Sequence, residues 1–357
     1  MTRRGSKSIA LTLRPDIFTA GLPVSTGWLL ADCMEFRGKQ ELWTQRKPEV
    51  LDALRQQAVV QSVESSNRIE GVVVAPERLR PLVLDHARPR DRSEEELSGY
   101  RRALDWIFSR KTSAPMDVRT ILHLHRLAQG GASGDAGVLK KKDNEIIELR
   151  PREGRVVRFR PSPAKTTPAA LRALCSRYHD MTEQSAAPPL LLAATFVFDF
   201  LCIHPFRDGN GRVSRLLTTL LLQQHGFTVA RFVSLERLVE ETRHDYYRVL
   251  GLCSKRWDEG RNEIVPWWNY FLTIVRRGYA EFAATVEQAE PHGGKTDMAR
   301  QTILAQIGSF TLADIRAQMP AVSSQLLKKV LTALKRDGHI RLAGRGRSAR
   351  WEVVAAK

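Results

Sequence analysis

Fourteen residues, Leu190 to Ile203 (LLLAATFVFDFLCI), carry one charged side chain, Asp199. A helix apolar almost all round is buried on every side. This run is too short to cross a bilayer, so it predicts a central core helix on which other elements pack. A second apolar run, LLTTLLL, begins at Leu216. Between the two lie HPFRDGNGRVSR, with one His, one Asp, one Asn, two Gly and three Arg in twelve positions. Two helices that want to pack must be joined by a turn, and Gly209 and Gly211 permit it.

That turn has the ingredients of an anion site. Successive N–H groups of a glycine-containing turn at a helix N-terminus form a nest for phosphate-like oxygens. Arg212 and Arg215 fall early in the second helix, on roughly one face, where they oppose the helix dipole. Several negative charges at that point would offset this. Asp208 beside such an anion needs an intervening cation, and Mg²⁺ is the usual bridge between carboxylate and phosphates. His204 can take a proton from a hydroxyl near neutral pH. Together these groups point to transfer of a phosphorus-containing group.

The rest of the chain frames that site. Its 357 residues suffice for two or three domains. With 43% hydrophobic and 27% charged residues, a folded rather than disordered chain is expected. The net charge of +17 favours an anionic partner. Cys33, Cys175, Cys202 and Cys253 form no CxxC pair, so neither a zinc ribbon nor a redox pair is suggested. A cytoplasmic protein with reduced thiols and no membrane contact is expected. The HxH at His123 and His125 diverges on a helix and is discounted as a metal site.

Helical patterns cover 47–70, SEEELSGYRRALDWIFSRK, MDVRTILHLHRLAQ and several later segments, with GGASGDAG as a loop. EIIEL and VVRFR around PREGR predict a hairpin. EPHGGKTD marks a linker. Beyond it, three short helices and a hairpin around GRGRS have winged helix-turn-helix order. Residues 295–357 hold 12 Lys/Arg against 4 Asp/Glu, hence +8. In SNRIEG, Glu70 ends a helix, where the dipole disfavours a carboxylate and a cation would relieve it.

The twelve-residue stretch resembles the Fic family motif: HPF, any residue, Asp or Glu, GNGR, two variable residues, Arg. His204, Pro205, Phe206, Asp208, Gly209, Asn210, Gly211, Arg212 and Arg215 all match it. SNRIEG is similar to the family's inhibitory pattern, with Ser66, Glu70 and Gly71 at its defined positions. The resemblance implies a mainly α fold. It comprises an N-terminal helical region (1–100) with an inhibitory helix near 55–71 and a Fic helical bundle with a β-hairpin flap (101–289). A linker (290–296) and a winged-helix domain (297–357) follow.

It also implies an autoinhibited protein adenylyltransferase that moves AMP from ATP to a Ser, Thr or Tyr hydroxyl of a target, or of itself, with reversal by the same site open. By that carry-over His204 deprotonates the hydroxyl and Asp208 holds Mg²⁺. Gly209, Asn210 and Gly211 cradle the α and β phosphates, and Arg212 and Arg215 meet the β and γ phosphates. Tyr246 and Tyr247 line the adenine, Phe206 anchors packing, and the hairpin at 145–160 aligns the target. Glu70 pairs with Arg215 and blocks the γ phosphate. The chain departs from the family in offering Lys140, Lys141 and Lys142 before the flap and in lacking, in the stretch after Tyr247, the Asn expected opposite the nucleotide. Two alternatives stay open: a DNA-binding regulator, with residues 297–357 on DNA and a nucleotide-sensing core, or transfer of another group such as UMP or phosphate. Assembly is open too, a homodimer included.

Overall fold

The computed structural model describes residues 10–44, 48–109, 114–130, 135–150, 154–288, 295–304, 306, 309–319, 322–343 and 350–354. The expected hairpin tip at 151–153 and much of the linker, 290–294, lie outside these residues. So do part of the GGASGDAG loop, 131–134, and the GRGRS turn. The chain divides into two compact units, Met1–Ala283 and Ala284–Lys357.

The first unit holds α1 (Pro15–Thr19), α2 (Val24–Thr44), α3 (Pro48–Ile69), α4 (Pro76–Val83), α5 (Arg92–Phe108) and α6 (Val118–Gln129). Then come β1 (Ile146–Arg150), β2 (Gly154–Phe159), α7 (Thr167–Glu183), α8 (Pro189–Ile203), α9 (Asn210–Gln224), α10 (Leu235–Glu241) and α11 (Arg243–Cys253). The long α12 (Val265–Gln288) begins in this unit. The strands β1 and β2 pair antiparallel as a separate two-stranded ribbon.

The apolar run is the central helix, α8. From Leu190 to Ile203 only Leu201 escapes full burial. The indoles of Trp267 and Trp268 donate to Ala194 O (2.7 Å) and Thr195 Oγ1 (2.8 Å), fixing α12 against it. Asp199, the odd residue in this helix, accepts from the backbone N–H groups of Thr12 (3.0 Å) and Leu13 (2.8 Å) and from Trp257 Nε1 (2.7 Å). Burial pushes its carboxyl pKa up, and these donors oppose the push. A buried carboxylate is tolerated only with such partners, so Asp199 ties the N-terminal segment to the core.

A second buried carboxylate positions α3. Glu236 on α10 accepts from Ser62 Oγ (2.7 Å) on α3 and Tyr100 OH (2.9 Å) on α5. The helix then ends in a C-cap with two reverse bonds, Val72 N to Asn67 O and Gly71 N to Arg68 O, both 3.0 Å. That pattern needs a left-handed residue after the cap, and Gly71 supplies it at φ 82°. Glu70 is thereby held at the helix end.

In the second unit, α13 (Lys295–Leu304), β3 (Ser309–Phe310), α14 (Leu312–Gln318), α15 (Ser324–Arg336), β4 (Ile340–Ala343) and β5 (Arg350–Val353) follow in order. The sheet order is β3-β5-β4, antiparallel throughout. Thr311 and Asp314 form a capping box that starts α14. Leu327, Val330, Leu331 and Leu334 of α15 enter a small core with Ile303, Phe310 and Ile315.

Candidate active site

The loop from 204 to 209 is braced from within and from outside. Asn210 turns its side chain back on the loop: Oδ1 accepts from Phe206 N (3.0 Å) and Nδ2 donates to Phe206 O (2.9 Å). Asn144 Nδ2 donates to the same carbonyl at 3.2 Å. Lys140 is buried and donates from Nζ to Asn144 Oδ1 (2.9 Å) and Ile203 O (3.1 Å), and its N–H reaches Pro205 O at 2.9 Å. Burial lowers the Lys140 pKa to about 8. His125 stacks on Phe206 with ring centroids 3.7 Å apart. Its Nδ1 accepts from Gly137 N at 2.8 Å, so Nε2–H donates to Asp208 O at 3.1 Å.

Within this brace His204 caps α8 in the left-handed region, φ 50°. A non-glycine residue there stores strain of about 1 kcal/mol or more. The turn carries its imidazole into a cavity of about 490 Å³ lined also by Glu70, Gly211, Arg215, Tyr246 and Tyr247. Nδ1 lies 3.3 Å from Leu201 O. A carbonyl only accepts, so Nδ1 carries the proton and Nε2 keeps its lone pair. Burial, reinforced by the charge of Lys140, lowers the His204 pKa to about 4. Near neutral pH the ring is therefore an unprotonated base.

The first turn of α9 presents unpaired backbone donors. Its N-cap, Gly209, adopts φ 79° and has no side chain to cap with. The N–H groups of Asn210, Gly211 and Arg212 find no acceptor among the described residues. Donors of this kind attract anions. The group that lies over them is Glu70. A methyl on Gly211 would clash with its carboxylate Oε1, closer than any real contact allows, and would stand 3.2 Å from Arg215 Nη1.

The two arginines part company. Arg215 is buried; it donates from Nη2 to Glu70 Oε1 (2.8 Å) and Ser66 O (2.8 Å), and from Nε to Ser66 Oγ (2.9 Å). Burial works against its charge, but the Glu70 carboxylate together with Tyr100 and Tyr246 outweighs it, raising the pKa. Arg212 does not line the cavity. It is only 2% exposed and donates to Glu96 Oε2 (2.8 Å) and Gln129 Oε1 (3.3 Å). Residues three apart on a helix diverge by about 60°, enough to send one guanidinium to the pocket and the other between α5 and α6. Glu96 also takes Arg92 Nε at 2.9 Å.

Asp208 accepts from Gly209 N at 2.6 Å through Oδ1, and its Oδ2 stands 3.9 Å from Nη2 of both Arg92 and Arg212. It is about half exposed. Among the described residues no group of three or more His, Cys, Asp and Glu could hold a metal ion. The tyrosine pair splits. Tyr246 is buried among Trp267 and Tyr270, whereas Tyr247 forms a shelf in the cavity, with Arg158 and Arg243 over its ring at 5.6 and 5.8 Å. The hairpin contributes Ile146, Ile147, Arg158 and Phe159 to the cavity wall.

The Fic/DOC family profile matches residues 115–222, a span from just before α6 to near the end of α9. The protein carries a Fic domain. A Fido domain-containing protein of Dictyostelium discoideum is 30% identical over 89 residues, 25% of this chain and 58% of that one. A Nematostella vectensis protein named protein adenylyltransferase Fic is 27% identical over 206 residues, 55% of this chain and 43% of that one. The chain thus spans about half the length of these curated relatives. The crystal structure of a Fic family protein from Desulfovibrio desulfuricans G20 matches with a TM-score of 0.63 at 19% identity, over 94% of this chain and 98% of that one. The likeness concerns the fold, and the mainly helical Fic fold is that of this chain.

Three supports of the Fic loop had no signal in the motif itself. Glu96, His125 and Gln129 lie well upstream and meet it only by packing of α5 and α6 on α9. His125 lies within the profile match, in the HxH; its helical position facing Phe206 is what gives it a role. No helix among the described residues is long and apolar enough to cross a membrane.

Proposed function

We propose that this protein is an autoinhibited adenylyltransferase that moves AMP from ATP to a hydroxyl of a protein target. The observation that carries the reading is the Glu70 carboxylate lying on Gly211 and Arg215, in the same cavity as the unprotonated Nε2 of His204. A base and an anion cradle share one space, and the cradle is occupied by the chain's own carboxylate.

The chemistry follows. With Glu70 withdrawn, the free N–H groups at the start of α9 and Arg215 receive phosphate oxygens. A target hydroxyl between the hairpin and His204 loses its proton to Nε2 as its oxygen attacks the α phosphorus. The bond to the β phosphate breaks, and pyrophosphate leaves. A general base of this kind contributes about 10²- to 10⁴-fold. Asp208 is the carboxylate suited to Mg²⁺, which typically takes one or two carboxylates with phosphate oxygens and waters; half exposed and beside the cradle, it fits that donor set. Bound there, the ion would neutralise phosphate charge. Arg212, sealed against Glu96, acts as the strut that sets the angle of α9.

The base end of the cavity is lined by Tyr247, Leu250, Gly251 and Ser254 without a carboxamide. Transfer of UMP or phosphate is therefore the second reading. Incubation of the Glu70→Gly protein with ATP and UTP, each α-labelled in one arm and γ-labelled in another, separates these readings. Label from α-ATP is expected in protein. Label from γ-ATP alone would replace adenylylation by phosphorylation, and label from UTP alone by uridylylation.

The second unit supports a separate contact with DNA. The exposed face of α15 carries Gln325, Lys328, Lys329, Thr332, Lys335 and Arg336, and the helix contains no acidic residue. We read the unit as a winged helix whose α15 meets duplex phosphates. Lys328→Glu with Lys329→Glu should abolish a salt-sensitive duplex shift; equal binding by wild type and variant would remove DNA as a partner.

A further inference from the structure

The cavity around His204 does not end at Tyr247. It opens past Arg158, Phe159, Arg243, Gly251 and Ser254, which line both spaces, into a groove of about 1180 Å³. One wall is β2 from Val156 to Phe159 with Arg160 just beyond it; the other is α11 and the turn that follows it.

The charge in this groove is one-sided. Arg158, Arg160, Arg243, Arg248, Lys255 and Arg256 line it, against one carboxylate, Asp258. Arg160, Arg248 and Arg256 are partly offset by exposed partners outside the groove lining: Glu145, Asp245 and Glu259. Among the described residues, Arg158, Arg243 and Lys255 have no carboxylate at ion-pairing distance. Gly251 lets this happen: a side chain there would meet the Arg158 guanidinium at 2.8 Å, so glycine allows Arg158 to lie flat on α11 over Tyr247.

We propose that this groove seats an acidic segment of the protein substrate and so selects targets whose modified hydroxyl is flanked by Asp or Glu. Two features favour a peptide over nucleic acid. The ribbon has only two strands, so one edge of β2 keeps unpaired backbone groups, which an extended peptide can match and a nucleotide chain cannot. The floor also offers apolar contact, since Leu252 is 45% exposed beside Val156 and Val157. Of the aromatic rings lining the groove, Tyr247 is already covered by two guanidinium groups and Phe159 packs edge-on against Trp257, which leaves a base only the exposed His244. As a target site the groove rests on the transferase reading; as a binding site it does not.

The test is direct binding to the full-length protein at low salt, without nucleotide. The probe is a fluorescent peptide with glutamates flanking a serine, set against the same peptide with glutamine for every glutamate. The glutamate peptide should bind and the glutamine peptide should not. Arg248→Glu with Lys255→Glu, on the α11 wall, should weaken binding about tenfold, or about 1.4 kcal/mol. Arg160→Glu, on the opposite wall, should weaken it independently, with thermal melting confirming that each variant is folded. Equal binding of both peptides, equal binding by the variants, or displacement of the peptide by a single-stranded oligonucleotide of equal charge at lower concentration would overturn the proposal. Because no transfer is read, failure of the adenylylation reading leaves this result standing, and the reverse holds too.

Discussion

The loop 204–209 and the helix end 66–71 meet in one cavity and are built in opposite ways. The loop is tied by Asn210, Asn144, Lys140 and His125, all of them hydrogen-bonded to its backbone or to the carbonyl of Ile203 at its head. Behind it, Arg212 and Glu96 form an ion pair with almost no exposure, 2% and 5%. The helix end has its backbone cap and contacts to Arg215, and the Glu70 side chain is a third exposed. A buried pair that loses one member leaves an uncompensated charge and costs several kcal/mol; a partly solvated pair costs about 1 kcal/mol or less. The first is permanent scaffold, and the second can be released at low cost. That asymmetry is what the proposed inhibition by Glu70 requires.

The largest effect should come from inside the scaffold. His204→Ala should reduce label incorporation by about 10²-fold or more while leaving the melting temperature near wild type. Near-normal transfer by the folded variant would mean that the braced loop is not the reacting centre.

Next comes the releasable side. Glu70→Gly should raise incorporation by roughly 5- to 150-fold, the range of ordinary regulatory couplings, with a smaller stability loss than Glu96→Ala, because Arg215 keeps its bonds to Ser66. Adding Arg215→Ala should return activity to a low level, because the freed guanidinium was the gain. An unchanged rate for Glu70→Gly across several targets would make SNRIEG a helix cap without regulatory effect.

Glu96→Ala reverses the pattern. It should destabilise the protein by about 3 kcal/mol or more, since Arg212 is then buried without its carboxylate. Activity should fall even when combined with Glu70→Gly. If denaturant unfolding places Glu96→Ala within about 1 kcal/mol of wild type, the contrast between the two arginines collapses.

The smallest effect is in the response to acid. The pKa values of His204 and His125 are lowered from 6.5 to about 4, in both cases chiefly by burial. The unfolded chain therefore takes up protons below 6.5 that the folded chain refuses. Stability is full above 6.5 and declines as pH falls from 6.5 towards 4. Transfer by Glu70→Gly needs neutral Nε2, so its rate should hold from about pH 7 to 5 and drop near 4. A rate falling with a midpoint near 6.5 would mean that His204 is solvated and that its ring is not sealed by the loop.

These contrasts separate two kinds of information. What depends on neighbours in the chain was legible in the residues: the apolar run as a core helix, the glycine turn after it, the hairpin on either side of 151–153, the cap at Gly71. Such features are set by backbone conformation over a few residues, where glycine, periodicity and capping decide. What depends on which surfaces meet was decided by the tertiary structure alone. Arg212 and Arg215 look equivalent in sequence, yet one answers Glu96 from 116 residues away and the other Glu70 from 145. His125 reads as half of a weak metal motif and becomes a brace because α6 packs its face on Phe206. A charged side chain in a dry interior must find a partner, and only the packing of distant helices determines which one is within 3 Å.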